Sequence, residues 1–165
     1  SEMCIRDRFN RWQGYLEKSS HTTNFADKLQ PKLSAALEAG VEVVIMEVSS
    51  HSISQKRISG CEFDAAVFTN LSQDHLDYHS DMENYFQTKM ELFKSPYLVK
   101  KGSYSVINAD DKWGLKLLDN LDSDVLKISI KNRNLEQDNF FYATDINFNR
   151  NGSYFVLHLS LIHIS

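Results

Sequence analysis

Cysteine is scarce. Cys4 and Cys61 are the only two in 165 residues, too few for a disulfide framework, and a reducing, cytoplasmic setting is the default expectation. Long apolar runs are missing as well. None approaches the roughly 18 residues of a membrane span, so no membrane partner is expected. The opening stretch SEMCIRDRFNRWQGY has no apolar core segment and does not read as a secretory signal. Positive charge is not in excess either. The 18 Lys and Arg face 22 Asp and Glu, and the net charge of −4 excludes a basic footprint for nucleic acid. Internal repeats, low-complexity tracts and a clear interdomain linker are also absent. The remaining composition, 42% hydrophobic and 24% charged, suits one soluble globular domain.

The two ends read as foreign to that domain. Residues 159–165, LSLIHIS, can be encoded by CTG TCT CTT ATA CAC ATC TCC. The reverse complement of that string, in a shifted frame, encodes residues 2–7, EMCIRD. Two ends that are reverse complements of one DNA string are expected to be translated sequencing adapter, as for other foreign tails. The expected division is therefore an adapter-derived tail at 1–8, a partial domain at 9–158, and a second such tail at 159–165.

Within 9–158 the patterning alternates. The stretch TTNFADKLQPKLSAALEAG has Phe25, Leu29, Leu33 and Leu37 at helical spacing, Thr23 or Asn24 as a cap, and Gly40 at its close. Short β-branched apolar runs at 41–48, 64–70, 104–108 and 125–130 read as strands. Trp113, Leu117 and Leu121 mark a further helix, and residues 140–159 read as a hairpin around Asn151 and Gly152. Strands alternating with helices predict an α/β fold, a mostly parallel sheet flanked by helices, with a C-terminal antiparallel appendage.

In such sheets chemistry collects beyond the carboxyl ends of the strands. Glu47, Ser49, Ser50 and His51 follow the first run. Asn70, Asp74, His75, Asp77 and His79 follow the second. Asn108, Asp110 and Asp111 follow the third. Asp74, His75, Asp77, His79 and Asp81 are dense enough for Mg²⁺ or Mn²⁺, and equally suit a solvated acidic turn whose Ser80 or Asp81 caps the next helix. Glu47 is either a strand-borne metal ligand or an acid facing solvent. Residues 108–111 can simply cap a helix. Ser49, Ser50 and His51 lack the G-x-S-x-G elbow of a hydrolase.

The helix after the second cluster, DMENYFQTKMELF, raises a sharper question. Met82, Tyr85, Phe86 and Phe93 form one apolar stripe, and Lys89 lies on it. One reading has Lys89 snorkelling to water. The other leaves its amine partly desolvated, hence more often neutral, and able to take up CO₂ as a metal-binding carbamate.

HTTNFADKLQ, VIMEVSSHSISQKRI, FDAAVFTNLSQDHLDYHSDMENYFQTKMELF and VINADD together resemble the Mur ligases, over nearly all of residues 20–115. More closely, they resemble the branch that adds the third amino acid of the cell-wall peptide. The resemblance implies a partial central, P-loop NTPase-like domain and an ATP-dependent ligase of the cytoplasm. It implies Mg²⁺ as cofactor and a monomeric parent protein. Its substrates would be the UDP-N-acetylmuramoyl dipeptide and an amino acid, meso-diaminopimelate or L-lysine. Residue by residue it makes Lys89 the carbamylated lysine, Glu47 and His75 Mg²⁺ ligands, and Asn108 the adenine-site asparagine. Thr22, Thr23, Ser49, Gln55 and Arg57 match positions that hold the UDP-dipeptide.

Two departures stand beside this. The chain contains no G-x-x-x-x-G-K-[ST] loop, so the P-loop strand is expected to be missing and the 165-residue chain to be inactive alone. Asn24 replaces the proline frequent in the family's HTTP. The competing expectations are a stand-alone metal-dependent hydrolase using Asp74, His75, Asp77 and His79, and a non-catalytic α/β binding module.

Overall fold

The computed structural model describes residues 2–6, 9–12, 15–19, 21–74, 77–98, 102–121, 124–131, 139–150 and 152–160. The chain divides into two compact units. The first comprises residues 1–61 and 87–91, the second residues 62–86 and 92–165.

The first unit is built on strands β1 (Glu2–Arg6), β2 (Phe9–Trp12), β3 (Tyr15–Lys18) and β4 (Val43–Met46), in the order β3-β2-β1-β4. The first three form an antiparallel meander, and β1 runs parallel to β4 with Met3 opposite Val44. Alternation decides which face of β1 is buried: Met3 and Ile5 are fully buried while Cys4 is exposed. No strand was expected in residues 9–19, so the meander is new information. β4 is an edge strand, and Val43, Val44 and Ile45 are 49%, 41% and 56% exposed, so it is wet on both faces.

Helix α1 (Ala26–Glu38) follows β3 and buries Leu29 and Ala36. Its N-cap is Phe25, which makes no side-chain cap, rather than Thr23 or Asn24. The reason is competition. The Thr23 hydroxyl is engaged at the end of β4, and Asn24 Oδ1 accepts from Ser19 Oγ at 3.1 Å. Helix α2 (Ser50–Ser54) is capped by Ser49, whose side chain accepts from Ser52 N.

The second unit holds β5 (Ala65–Phe68), β6 (Tyr104–Asn108), β7 (Val125–Ser129), β8 (Phe140–Asn149) and β9 (Gly152–Ser160), in sequential order. The first four are parallel, and β9 returns antiparallel to β8, as the hairpin pattern predicts. Asn149 pairs with Gly152, which brackets the turn. Helix α3 (Met82–Met90) runs into a 3₁₀ turn at Glu91–Phe93, and its residues fall in both units, 82–86 in the second and 87–90 in the first. Asp81 caps it, accepting from Asn84 N at 2.8 Å. Helix α4 (Lys112–Leu118) is capped by Asp111, which accepts from Trp113 N and Gly114 N. Phe86, Ile107, Leu117 and Phe140 form the dry interior of this unit. Each contributes roughly 1.5–3 kcal/mol by leaving water.

Candidate functional site

The polar strand ends carry the geometry. Beyond β4 the chain turns through Glu47, Val48 and Ser49, and three separate segments hold that turn. The Glu47 amide donates to Ile5 O at 2.9 Å. The Thr23 hydroxyl donates to Glu47 O at 2.9 Å and accepts from Ser49 N at 3.2 Å. Lys89 Nζ donates to Val48 O at 3.3 Å. With the backbone so fixed, the Glu47 side chain itself is left exposed.

Lys89 does not snorkel freely. It is half-buried, and burial pushes its amine below the ordinary lysine range, with the nearby Glu47 carboxylate pulling the other way. The amine is therefore neutral more often than that of a surface lysine. The stripe on α3 is otherwise as the spacing predicts, with Tyr85, Phe86 and Phe93 buried.

Arg57 is brought to the same unit by the end of α2. Lys56 takes φ +55, Lys56 N donates to Ile53 O, and Arg57 N donates to Ser52 O at 2.8 Å. This pair of bonds around a left-handed residue is a Schellman closure. It folds the chain so that Gln55 Oε1 accepts from both Arg57 Nε at 2.9 Å and Nη2 at 2.6 Å. Arg57 Nη1 donates to Thr23 O at 3.0 Å, and its guanidinium lies 4.0 Å from the centre of the Phe25 ring. Lysine at the left-handed position costs about 1 kcal/mol relative to glycine. Lys56→Gly is therefore expected to stabilise the chain by about that amount, read as a higher urea midpoint at unchanged slope; a lower midpoint would show that Lys56 is held by contacts worth more than the strain.

The structure thus gathers Thr23, Glu47, Ser49, Gln55, Arg57 and Lys89 in one unit through a connected set of bonds and charges. Thr22, half-buried, is next to Thr23 in the chain. His75 lies outside the described residues. Phe25, stacked under Arg57, was missed by sequence reasoning, because an aromatic at a helix start reads as core.

Asn108 belongs to the second unit, at the end of β6. Its Nδ2 donates to Thr69 O at 2.7 Å and its Oδ1 accepts from Asp110 N at 2.9 Å. One N–H and one acceptor lone pair of the amide remain for a ligand. Asp110 is committed elsewhere, accepting from Ser129 Oγ and Ile130 N.

The described residues of the acidic cluster after β5 point in different directions. His79 is buried, stacks on Tyr85 at 4.8 Å and meets Asn84 Oδ1 through Nδ1 at 3.3 Å, while Asp74 and Asp77 are exposed. Among the described residues no three His, Cys, Asp or Glu side chains converge as a metal site. Glu47 and Lys89 fit a divalent cation only in one chemical form. An ammonium or amine at Lys89 leaves Glu47 as a single hard donor, whereas a carbamate adds anionic oxygens of the kind Mg²⁺ prefers. Among the described residues no helix is long and apolar enough to cross a membrane.

Comparison with known proteins gives the family. The family model described as the Mur ligase middle domain matches residues 6–165. A protein of Prochlorococcus marinus subsp. pastoris is 57% identical over 152 residues, covering 91% of this chain and 30% of the relative. One of Synechococcus elongatus is 56% identical over 110 residues, covering 67% of this chain and 22% of the relative. Both are named UDP-N-acetylmuramoyl-L-alanyl-D-glutamate–2,6-diaminopimelate ligase. A solved structure titled as the same ligase superposes with a TM-score of 0.75 at 30% identity, covering 94% of this chain and 31% of its own. The chain spans less than a third of the length of these relatives, and it belongs to the Mur ligase middle-domain family.

Proposed function

We propose that this chain is the middle-domain portion of an ATP-dependent amino-acid ligase. The ligase would join meso-diaminopimelate to UDP-N-acetylmuramoyl-L-alanyl-D-glutamate in the cytoplasm, during peptidoglycan synthesis. The observation that carries the reading is the placement of Lys89, half-buried on α3, with its amine on the Val48 carbonyl beside Glu47. The names of the relatives support the substrate, and favour diaminopimelate over L-lysine.

In this reading the γ-phosphoryl group of ATP passes to the D-glutamate carboxylate, giving an acyl phosphate. The amino group of the incoming amino acid attacks the acyl carbon, and phosphate leaves. Such transfer depends on alignment and charge neutralisation. Arg57, rigid against Gln55 and Phe25, binds an anionic group of the UDP-dipeptide. Thr22 and Ser49 line the same substrate. Glu47, the Lys89 carbamate and, by resemblance alone, His75 would hold Mg²⁺, which when bound neutralises developing negative charge. Asn108 presents its remaining N–H and lone pair to adenine.

The test uses the polypeptide encoded by the longest reading frame that contains this chain. It is expected to release phosphate from ATP only when both the UDP-dipeptide and diaminopimelate are present, with L-lysine supporting less than about a tenth of that rate. Phosphate release independent of the UDP-dipeptide would overturn the reading.

A further inference from the structure

Phe25 sits where two local rules disfavour it. It is the N-cap of α1, yet its side chain makes no cap, in a place where Ser, Thr, Asp or Asn would satisfy an orphan amide. It is also a large apolar side chain left 44% exposed, so burial explains little of its presence. What the ring does meet is charge. The Arg57 guanidinium carbon lies over the ring, 4.0 Å from its centre, and the His21 ring meets Phe25 edge-on at 5.1 Å and 78°. Arg57 is itself only 8% exposed, so little water screens the attraction between the cation and the electron-rich ring face.

Arg57 makes three hydrogen bonds, two to Gln55 Oε1 and one to Thr23 O, through N–H groups that lie in the plane of the guanidinium. They fix the edges of the fork. They resist its tilt poorly, and tilt decides where a planar fork aims at an anion. The ring against the flat face supplies that restraint. We propose that Phe25 is a positioning residue, whose ring face sets the plane of Arg57 for the anionic group of the UDP-dipeptide. This rests on the ligase reading, which gives Arg57 that ligand. A local rule broken at a helix start is what a sequence tolerates where a site gains from it.

The test separates the ring's electrons from its bulk. In the longer polypeptide Phe25→Leu is expected to raise KM for the UDP-dipeptide about 3–10-fold with kcat within about twofold, the pattern of lost ligand binding. Phe25→Tyr and Phe25→Trp keep an electron-rich face and are expected to restore KM to within about twofold of the parent. Phenylalanines carrying one, two and three ring fluorines at position 25 drain the face at nearly constant shape. KM is expected to rise stepwise along that series. A leucine variant with the parent's KM, a KM flat across the fluorinated series, or a loss of kcat at unchanged KM overturns the proposal. If Phe25→Leu does not fold, the fluorinated series decides. If the unsubstituted polypeptide does not ligate, the ligase reading fails. Exchange of the Arg57 Nε proton with water, followed in the chain itself, then still decides whether the ring holds the guanidinium. That exchange is expected to be several-fold faster in Phe25→Leu and at the parent rate in Phe25→Tyr. Equal rates in all three proteins overturn the ring's hold.

Discussion

Replacing Lys89 with alanine, in the longer polypeptide, is expected to lower ligation at least 10²–10³-fold while leaving affinity for the UDP-dipeptide unchanged. The magnitude is that of removing one preorganised electrostatic group from a reacting centre. The direction follows from where the amine lies. It sits on Val48 O beside Glu47, in the unit that also holds Arg57 and Ser49, while the Arg57 guanidinium is held by Gln55 Oε1 and Thr23 O. Under the ligase reading, truncation removes a charged group beside Glu47 and leaves the bonds that hold Arg57 in place. Lys89→Arg separates the two remaining readings of the residue. Arginine keeps the cation but cannot form the carbamate, because its guanidinium stays protonated. If Lys89 serves as a cation, arginine restores activity; if it serves as a carbamate, arginine is as inactive as alanine.

The carbamate itself has a pH signature. Only the neutral amine reacts with CO₂, and burial lowers the pKa of Lys89, so at any given pH below the ordinary lysine range a larger fraction is neutral. Uptake of isotope-labelled CO₂ at fixed dissolved CO₂ is expected to rise with pH and to reach completion at lower pH than at surface lysines. It should vanish in Lys89→Ala. Label on the unsubstituted protein that persists unchanged in Lys89→Ala would place the modification elsewhere.

Much of this was legible in the sequence because local rules and the fold agree. Ser80 or Asp81, and residues 108–111, read as candidate helix caps, and the caps are Asp81 and Asp111. The α3 stripe reads correctly from spacing alone, including the anomaly of Lys89, because the period of the helix fixes which residues share a face. The strand at 104–108 was expected at those bounds, since apolar β-branched residues flanked by turn residues leave little choice. What was not legible depended on distant partners. Thr23 reads as a helix cap or, by resemblance, a position that holds the UDP-dipeptide. Only the arrival of Glu47 and Ser49, fixed by β1 pairing with β4, buries it and takes its hydroxyl. The same loss of local partners moved the start of α1 to Phe25. The meander of residues 2–18 carries too few β-branched residues to announce itself. Of the crowded acids and histidines after β5, His79 turns inward onto Tyr85 while Asp74 and Asp77 face water, a division that density in sequence does not reveal.

Gly114→Ala is expected to destabilise the second unit by about 2 kcal/mol. On helix propensity alone the sign would be opposite, since alanine gains about 1 kcal/mol over glycine inside a helix. Sterics decide. A Cβ at Gly114 would lie 2.1 Å from Asn108 O and 3.2 Å from Asn108 C, both backbone, and 3.5 Å from Ile107 Cγ2. No side-chain rotation relieves a collision with a carbonyl at the end of a central parallel strand. Either α4 lifts from β6, opening voids around the fully buried Ile107 and Leu117, or the end of β6 shifts and strains the Asn108 bonds to Thr69 and Asp110. Overpacking of this kind costs about 1–3 kcal/mol and occasionally more, and here it must also cancel the propensity gain. Leu115→Ala on the same helix is the control. Leu115 is 51% exposed, so its truncation should fall within about 0.5 kcal/mol of the unsubstituted chain. Urea unfolding of the three proteins side by side measures the difference. A Gly114→Ala chain at least as stable as its parent would mean that α4 can move off β6 at little cost. Under the ligase reading the same substitution in the longer polypeptide should raise KM for ATP more than KM for the UDP-dipeptide. It disturbs Asn108, the proposed adenine contact, and leaves Thr23, Glu47 and Arg57 untouched.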